Sequence, residues 1–245
     1  MNDVLDGVRW VFDSSHWWGE NGIAHALLDH LRYSAIGLVI AAAVGLPLGL
    51  YVGHTGRGRF VSVGAATALR ALPTIGVVML LFRWRPISIY PVLAALIVLA
   101  IPPIVLNTAA GIEAVDRDAR DAARGVGLSP MQVLLRVELP CALPLVLAGL
   151  RSAANQVIAT ATVAGFGVGL GGLGTFLFSG YGTQRYEIVY GGTVLVIALV
   201  LLVEGLFALL QHRIVSPGLD ARARTRPARA LGVTPPVYDA SRLTI

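Results

Sequence analysis

No lysine occurs in these 245 residues, so all 19 basic side chains are arginines. Charged residues of either sign make up only 13% of the chain, and there is one cysteine, Cys141. Each shortage excludes something. A single thiol cannot close a disulfide within the chain. His25, His30, His54 and His212 show no His-Glu-x-x-His or similar ligand spacing, so no metal site is expected. No Gly-x-x-x-x-Gly-Lys-[Ser/Thr] stretch is present, and with it goes a nucleotide site of that kind. Residues 1–22 lack a basic region followed by an apolar one, so they do not read as a cleavable secretory signal. The net charge of +5 is all arginine and reads as codon usage, with no nucleic-acid partner expected. Neither a repeat of 20–50 residues nor an inverted duplication is visible, which counts against a self-sufficient carrier.

Apolar length is plentiful. Hydrophobic residues reach 56% of the chain and the mean hydropathy is +0.72. Residues 33–53 and 86–112 carry no charge at all. Runs of about 20 apolar residues match the thickness of a bilayer core. The expected fold is therefore all-α, a polytopic membrane protein with about five transmembrane helices. They fall near 30–53, 60–82 (interrupted by Arg70 and Pro73), 89–112 (holding Pro102 and Pro103), 140–164 and 188–211. This divides the chain into an N-terminal segment 1–29, a transmembrane domain 30–212 with a polar loop at 113–139, and a basic tail 213–245. The tail is rich in proline and arginine and is expected to be disordered. Trp10, Trp17 and Trp18 suit a membrane–water interface, and a short lid with a small core is the other reading.

Arginine distribution sets the orientation. Placing 113–139 in the cytoplasm also puts Arg57, Arg59, Arg213, Arg222, Arg224, Arg226 and Arg229 inside. Arg9, Arg83, Arg85 and Arg185 then lie outside. The N-terminus is expected outside the cell membrane and the C-terminus inside.

The polar loop is unusual in so apolar a chain. In VDRDARDAARG (115–125), Asp116 and Arg120 stand four apart and Asp121 and Arg124 three apart, so both pairs favour a helix. Gly125 and Gly127 end it. Ser129 then caps a second helix, with Pro130 in its first turn and Gln132 completing a capping box. Leu134, Leu135, Val137 and Leu139 give that helix apolar faces, and Pro140 marks the start of the next span. Ala122 and Ala123 form a small surface that a partner could approach. A plain surface loop would show the same helix, turn and helix.

The same stretch resembles the EAA loop of type-1 ABC importer permeases: Glu-Ala-Ala, three residues, Gly, nine residues, Ile, one residue, Leu-Pro. Here Asp121, Ala122, Ala123, Gly127, Val137, Leu139 and Pro140 stand at those positions, with Asp for Glu and Val for Ile. IPPIVLNTAAGIEAVD, VELPCALPLVLAGLRSA and GLGGLG look most like the osmoprotectant branch, and RALPTIGVVMLL resembles its broken second span. Arg70 and Ala71 depart from that branch's polar residues. The resemblance implies a permease subunit for glycine betaine, choline, carnitine or proline. It also implies a cytoplasmic coupling helix docked on an ATP-hydrolysing subunit. The expected partners are an ATPase dimer, a second permease copy or homologue, an extracytoplasmic solute-binding protein and the lipid bilayer. ATP and magnesium would sit on the ATPase, with no catalytic residue and no cofactor on this chain. Substitution of Gly127 by proline, or of Ala123 by a bulky residue, is expected to uncouple hydrolysis from transport. Related permeases carry methionine and other solutes, and a self-sufficient channel or ion-driven carrier remains an alternative.

Arg70, Arg151 and Glu204 fall inside expected spans, where a centred charge costs roughly 2.5–3.5 kcal/mol on insertion scales. Arg151 with Asn155 would line a polar path, or Arg151 and Glu204 would form a structural pair. The spans show no aromatic cluster of the kind that holds quaternary ammonium groups, so high-affinity binding is expected on the separate solute-binding protein. Gly45, Gly49 and Gly53 repeat every four residues, the spacing of close helix packing. Gly167, Gly169 and Gly172 match Gly-x-Gly-x-x-Gly, but a dinucleotide site needs a strand before them.

Overall fold

A computed structural model describes residues 2–71, 73–83, 88–164 and 171–214. The described residues form helices and turns with no strand. Helix α1 (Asn2–Phe12) and a short 3-10 turn at Ser14–His16 precede α2 (Ile23–Thr55). Next come α3 (Arg59–Ala71), α4 (Thr74–Phe82) and α5 (Ile89–Glu113). The polar loop holds α6 (Arg117–Gly125) and α7 (Pro130–Val133), and α8 (Leu139–Ala164), α9 (Gly174–Gly182) and α10 (Tyr186–Ile214) complete the chain.

Four of these helices are long and apolar enough to cross a bilayer: Ile23–Thr55, Ile89–Glu113, Pro130–Val163 and Tyr186–Ile214. The fifth expected span is broken in two. Pro73 has φ −61° and ψ 121° and stands just before α4. Its ring removes a backbone donor and disfavours helical geometry in the residue before it, so α3 and α4 meet at an angle-permitting break. Arg70 lies in the last turn of α3, and its side chain is outside the described part of the structure.

The core is built where α2, α5 and α8 meet. Ala41, Ala95, Leu96, Ala100, Ile104, Ala153 and Val157 are fully or almost fully buried there. Glycine makes the approach of α2 to α5 close. A Cβ on Gly45 would stand 3.0 Å from that of Ile104, and one on Gly49 or Gly53 2.7 Å from those of Thr108 and Ile112. Partner and glycine advance together, so α2 and α5 run in the same direction, as the intervening broken span requires. Gly111 meets Ala142 while Gly149 meets Asn107, so α8 runs back against α5.

At the end opposite the polar loop, the N-terminal segment is a packed element. Helix α1 lies on the first turns of α10, with Gly7 backing onto Tyr190 and Gly191. Trp10 is buried with Val11 and Ile23, stacks on His16 (centroids 4.8 Å) and meets Phe176 edge-on. The Trp17 Nε1–H donates to the Val11 carbonyl at 2.7 Å. Of the three tryptophans expected at the interface, Trp10 and Trp17 thus belong to a small core and Trp18 is exposed. Asp13 caps the 3-10 turn, and the backbone N–H of Ser15 holds its carboxyl below the ordinary carboxylate range. Helix α2 begins at Ile23, seven residues before the expected span. Residues 215–245, with the basic tail, lie outside the described residues.

Candidate functional site

The polar loop starts where α5 ends. Asp116 turns its carboxylate onto the N–H of Asp118 at 3.0 Å and caps α6. An N-cap carboxylate satisfies a donor that has no partner within the helix. The expected Asp116–Arg120 pair is not the arrangement adopted: Arg120 folds inward instead. Its Nη2 donates to the carbonyl of Ile112, at the end of α5, and its Nε lies 3.1 Å from Glu138 Oε1. Asp121 and Arg124 do approach, at 3.6 Å, on the exposed face.

Helix α6 ends on a left-handed residue, as a glycine there permits. Gly127 has φ +85°, its N–H donates to Arg124 O at 2.9 Å, and the Leu128 N–H donates to Ala123 O at 3.2 Å. These two bonds are the Schellman pair that closes a helix C-terminus. The capping box forms as the spacing predicts. Gln132 N–H donates to Ser129 Oγ at 3.4 Å and Ser129 N–H to Gln132 Oε1 at 2.8 Å.

Pro140 does not end this helix. The chain continues from Pro130 into α8 through one widened π turn, Leu134–Glu138, in which the Leu139 N–H bonds to Leu134 O. Proline at 140 cannot donate to Arg136 and crowds its carbonyl. A one-residue slip of the ladder just ahead of it keeps the helix continuous, so loop and span are one rod.

The loop residues divide by face. Asp121, Ala122 and Gly127 are exposed, as are Val126, Met131 and Leu135. Ala123 is buried on the inner side of α6, so of the two alanines only Ala122 offers a small outward surface. Val137 and Leu139 are half-buried, Leu139 against a cluster of Ile112, Leu134, Ala142 and Val146, and Pro140 is exposed.

Sequence reading passed over Glu138, the residue between Val137 and Leu139. Its side chain is 1% exposed and its two oxygens are held from different helices. His54 Nδ1, in the last turn of α2, lies 2.6 Å from Oε2, and Arg120 of α6 approaches Oε1. A glutamate inside an apolar run, with an arginine and a histidine at neighbouring helix ends, was the available signal. A few residues away Arg59, at the start of α3, pairs with Glu113, the last residue of α5, at 3.1 Å.

A second polar group lies midway along the spans. Arg151 and Asn155, one turn apart on α8, both reach Glu204 of α10. Arg151 Nη2 donates to Glu204 Oε1 and Asn155 Nδ2 to Oε2 at 3.0 Å. All three candidates meet, each about a third exposed for the charged pair. Arg151 and Asn155 themselves, with Ala148, Ser152, Gln156 and Ala159, line an open depression of about 570 Å³ along this face of α8. Through Ser152 and Gln156 it adjoins a recess of about 350 Å³ against Pro102, Pro103 and the α3–α4 break. Thus α8 shows polar groups on one open face and apolar ones toward the core.

Gly167 and Gly169 lie outside the described residues. Gly172, with φ +86°, backs onto His30, and the strand that a dinucleotide reading requires is absent among the described residues. No group of three or more metal-ligating side chains occurs among the described residues either.

Residues 45–219 match the family of binding-protein-dependent transport system inner membrane components. The chain belongs to that family. It is 31% identical to the carnitine transport permease protein OpuCB of Listeria monocytogenes, over 80% of this chain and 90% of that protein. It is 30% identical to the osmoprotectant import permease protein OsmW of Salmonella typhimurium, over 88% of this chain and the whole of that one. The choline transport system permease protein OpuBB of Bacillus subtilis is 28% identical over 78% of this chain and 88% of its own length. In fold, the chain resembles a subunit of the MetNI methionine ABC transporter in an inward-facing form. The TM-score is 0.68 at 21% identity, covering 79% of this chain and 96% of that one. This chain is therefore a multi-pass membrane permease of the osmoprotectant branch of ABC importers.

Proposed function

We propose that this permease imports small quaternary-ammonium or related osmoprotectants, such as glycine betaine, choline, carnitine or proline, by alternating access driven from outside the chain. The solutes named for its relatives support the class. Residues 117–133 are the handle. The observation that carries this reading is the loop's division of faces: Asp121, Ala122, Val126 and Met131 are exposed along α6, its C-terminal end and α7, while Ala123 and Val133 are buried on the inner side. An exposed apolar rim around small residues is what a helix needs to seat in a groove of another protein.

In this reading the loop docks on an ATPase dimer that binds ATP and magnesium, and this chain performs no bond chemistry. A second permease copy or homologue faces the open side of α8, and a solute-binding protein delivers solute from outside. The arginine distribution supports an N-terminus outside and a C-terminus inside. Arg151, Asn155 and Glu204 act as a brace between α8 and α10, while Ser152 and Gln156 border the path. The decisive experiment is gentle purification of the tagged chain from its native membrane. A stoichiometric ATPase, and uptake of radiolabelled glycine betaine, choline or carnitine by the reconstituted complex, is the expected result. A chain that is alone even after crosslinking overturns the importer reading. Within the complex, Ala122→Trp and Gly127→Pro should abolish coupled uptake while insertion persists.

A further inference from the structure

We infer that Glu138, His54 and Arg120 form the joint that makes the α6–α7 handle move as one body with α2, α5 and α8. The inference rests on the proposed coupling role of the loop and adds the residues that transmit the motion.

Backbone connections alone would transmit motion loosely. Helix α6 is joined to α5 through residues 114–116 and to α7 through the glycine turn, and neither connection holds it against α2 or α8. Three side-chain ties remove that freedom. Arg120 reaches back to the carbonyl of Ile112 on α5 and across to Glu138 at the base of α8. Glu138, almost wholly enclosed, also binds His54 at the end of α2, 2.6 Å away. One carboxylate thus ties α2, α6 and α8, and its arginine adds α5. A buried ionised group whose partners come from separate elements fixes their relative placement, because separating any of them strands a charge away from water. The π turn places this carboxylate. It ends at Glu138 and adds one residue to the helical ladder just before α8, so the turn sets which side of the rod Glu138 occupies.

The cluster differs from an ordinary surface ion pair in where its members come from. Asp121–Arg124 lies within α6 and links nothing else. Arg59–Glu113 links α3 to α5, but its arginine is largely open to solvent. Glu138 joins the handle to spans on both sides of it, and does so in the interior. In this inference Glu138, His54 and Arg120 are positioning residues, acting through the helices they tie together.

The test uses Glu138→Gln in the full chain, with two readouts. In the purified chain, hydrogen exchange should rise about tenfold in α6 and in the last turn of α2, with α5 and the middle of α8 unchanged. In the complex with its ATPase and solute-binding protein, uptake of glycine betaine, choline or carnitine per ATP hydrolysed should fall about tenfold. Hydrolysis and assembly should persist. Unchanged exchange in α6 overturns the inference. So does loosened α6 with full uptake per ATP, which would make the cluster packing alone, and so does a uniform rise in exchange over the whole bundle. Should Glu138→Gln fail to fold, His54→Leu removes only the tie to α2. It should loosen that turn and lower uptake per ATP several-fold, and no change there overturns the inference equally. Gly127→Pro separates the two levels. If it too leaves coupling intact, the coupling role of the loop is at fault; if it uncouples while Glu138→Gln does not, only the joint is.

Discussion

Glu138 and Glu204 are both held by an arginine, yet the first is enclosed and the second half-open. Glu138 is on the closed side, 1% exposed, with ligands from α2 and α6. Glu204 is on the open side, a third exposed, and its two ligands both come from one face of α8. The helices around them differ in the same sense. Over its most apolar 18 residues α5 is 56% buried within the chain, and α10 only 11%. A charge in the first setting is part of how several elements are placed. A charge in the second braces one pair of helices and keeps access to whatever covers α10, lipid or another subunit.

The largest difference should follow from removing each arginine. Arg120→Ala leaves Glu138 enclosed with only His54, and breaking a buried pair costs about 3–5 kcal/mol. Thermal unfolding in one detergent should show a deep fall in midpoint. Arg151→Ala should lower it clearly less, because Glu204 keeps Asn155 and is already a third exposed. Equal falls would break the comparison.

Next in size are the glycines. On the closed side, Gly49→Ala pushes a methyl to within 2.7 Å of the Thr108 Cβ, and overpacking of this kind costs about 1–3 kcal/mol. On the open side, Gly205 has nothing within 4 Å, so Gly205→Ala should stabilise by about 0.5–1 kcal/mol through helix propensity. Opposite signs in the same thermal assay are the expected result. A destabilising Gly205→Ala would mean that α10 is more closely covered than the single chain indicates.

What could be read from the sequence follows the same division between local and long-range causes. The spans were legible because bilayer thickness imposes a minimum apolar length. Ser129, Pro130 and Gln132 gave the second loop helix its start, since a capping box is satisfied within four residues. The four-residue step of Gly45, Gly49 and Gly53 announced close packing without naming α5 as the partner. Asp116 has two local uses, pairing with Arg120 and capping α6, and capping wins. The rotation of α6, and with it the inward side of Ala123, is not legible because the helix has no long apolar pattern; burial against the rest of the loop fixes it. Pro140 does mark the start of α8, but spacing alone does not show that a π turn joins the loop helix to it without a break. The packing of Trp10 against α10 joins residues far apart in the chain, and no local pattern encodes it. For Arg151 the sequence offers a path or a pair; it does contact Glu204, and with Asn155 it also lines the open face of α8.

The smallest expected effects lie on the outward face of the loop, where stability and the proposed function come apart. Ser129→Ala removes a side-chain cap from the start of the rod and should cost about 1 kcal/mol. Asp121→Ala removes an exposed partner of Arg124, a contact worth at most about 0.5 kcal/mol. By thermal unfolding, then, Asp121→Ala should be nearly silent, and Ser129→Ala should not. If the outward face docks on an ATPase, affinity for that subunit should reverse the order, with Asp121→Ala weakening co-purification more than Ser129→Ala. The same order in both measurements would mean that the loop's exposed residues serve only its own folding, and that the docking surface lies elsewhere on this end of the bundle.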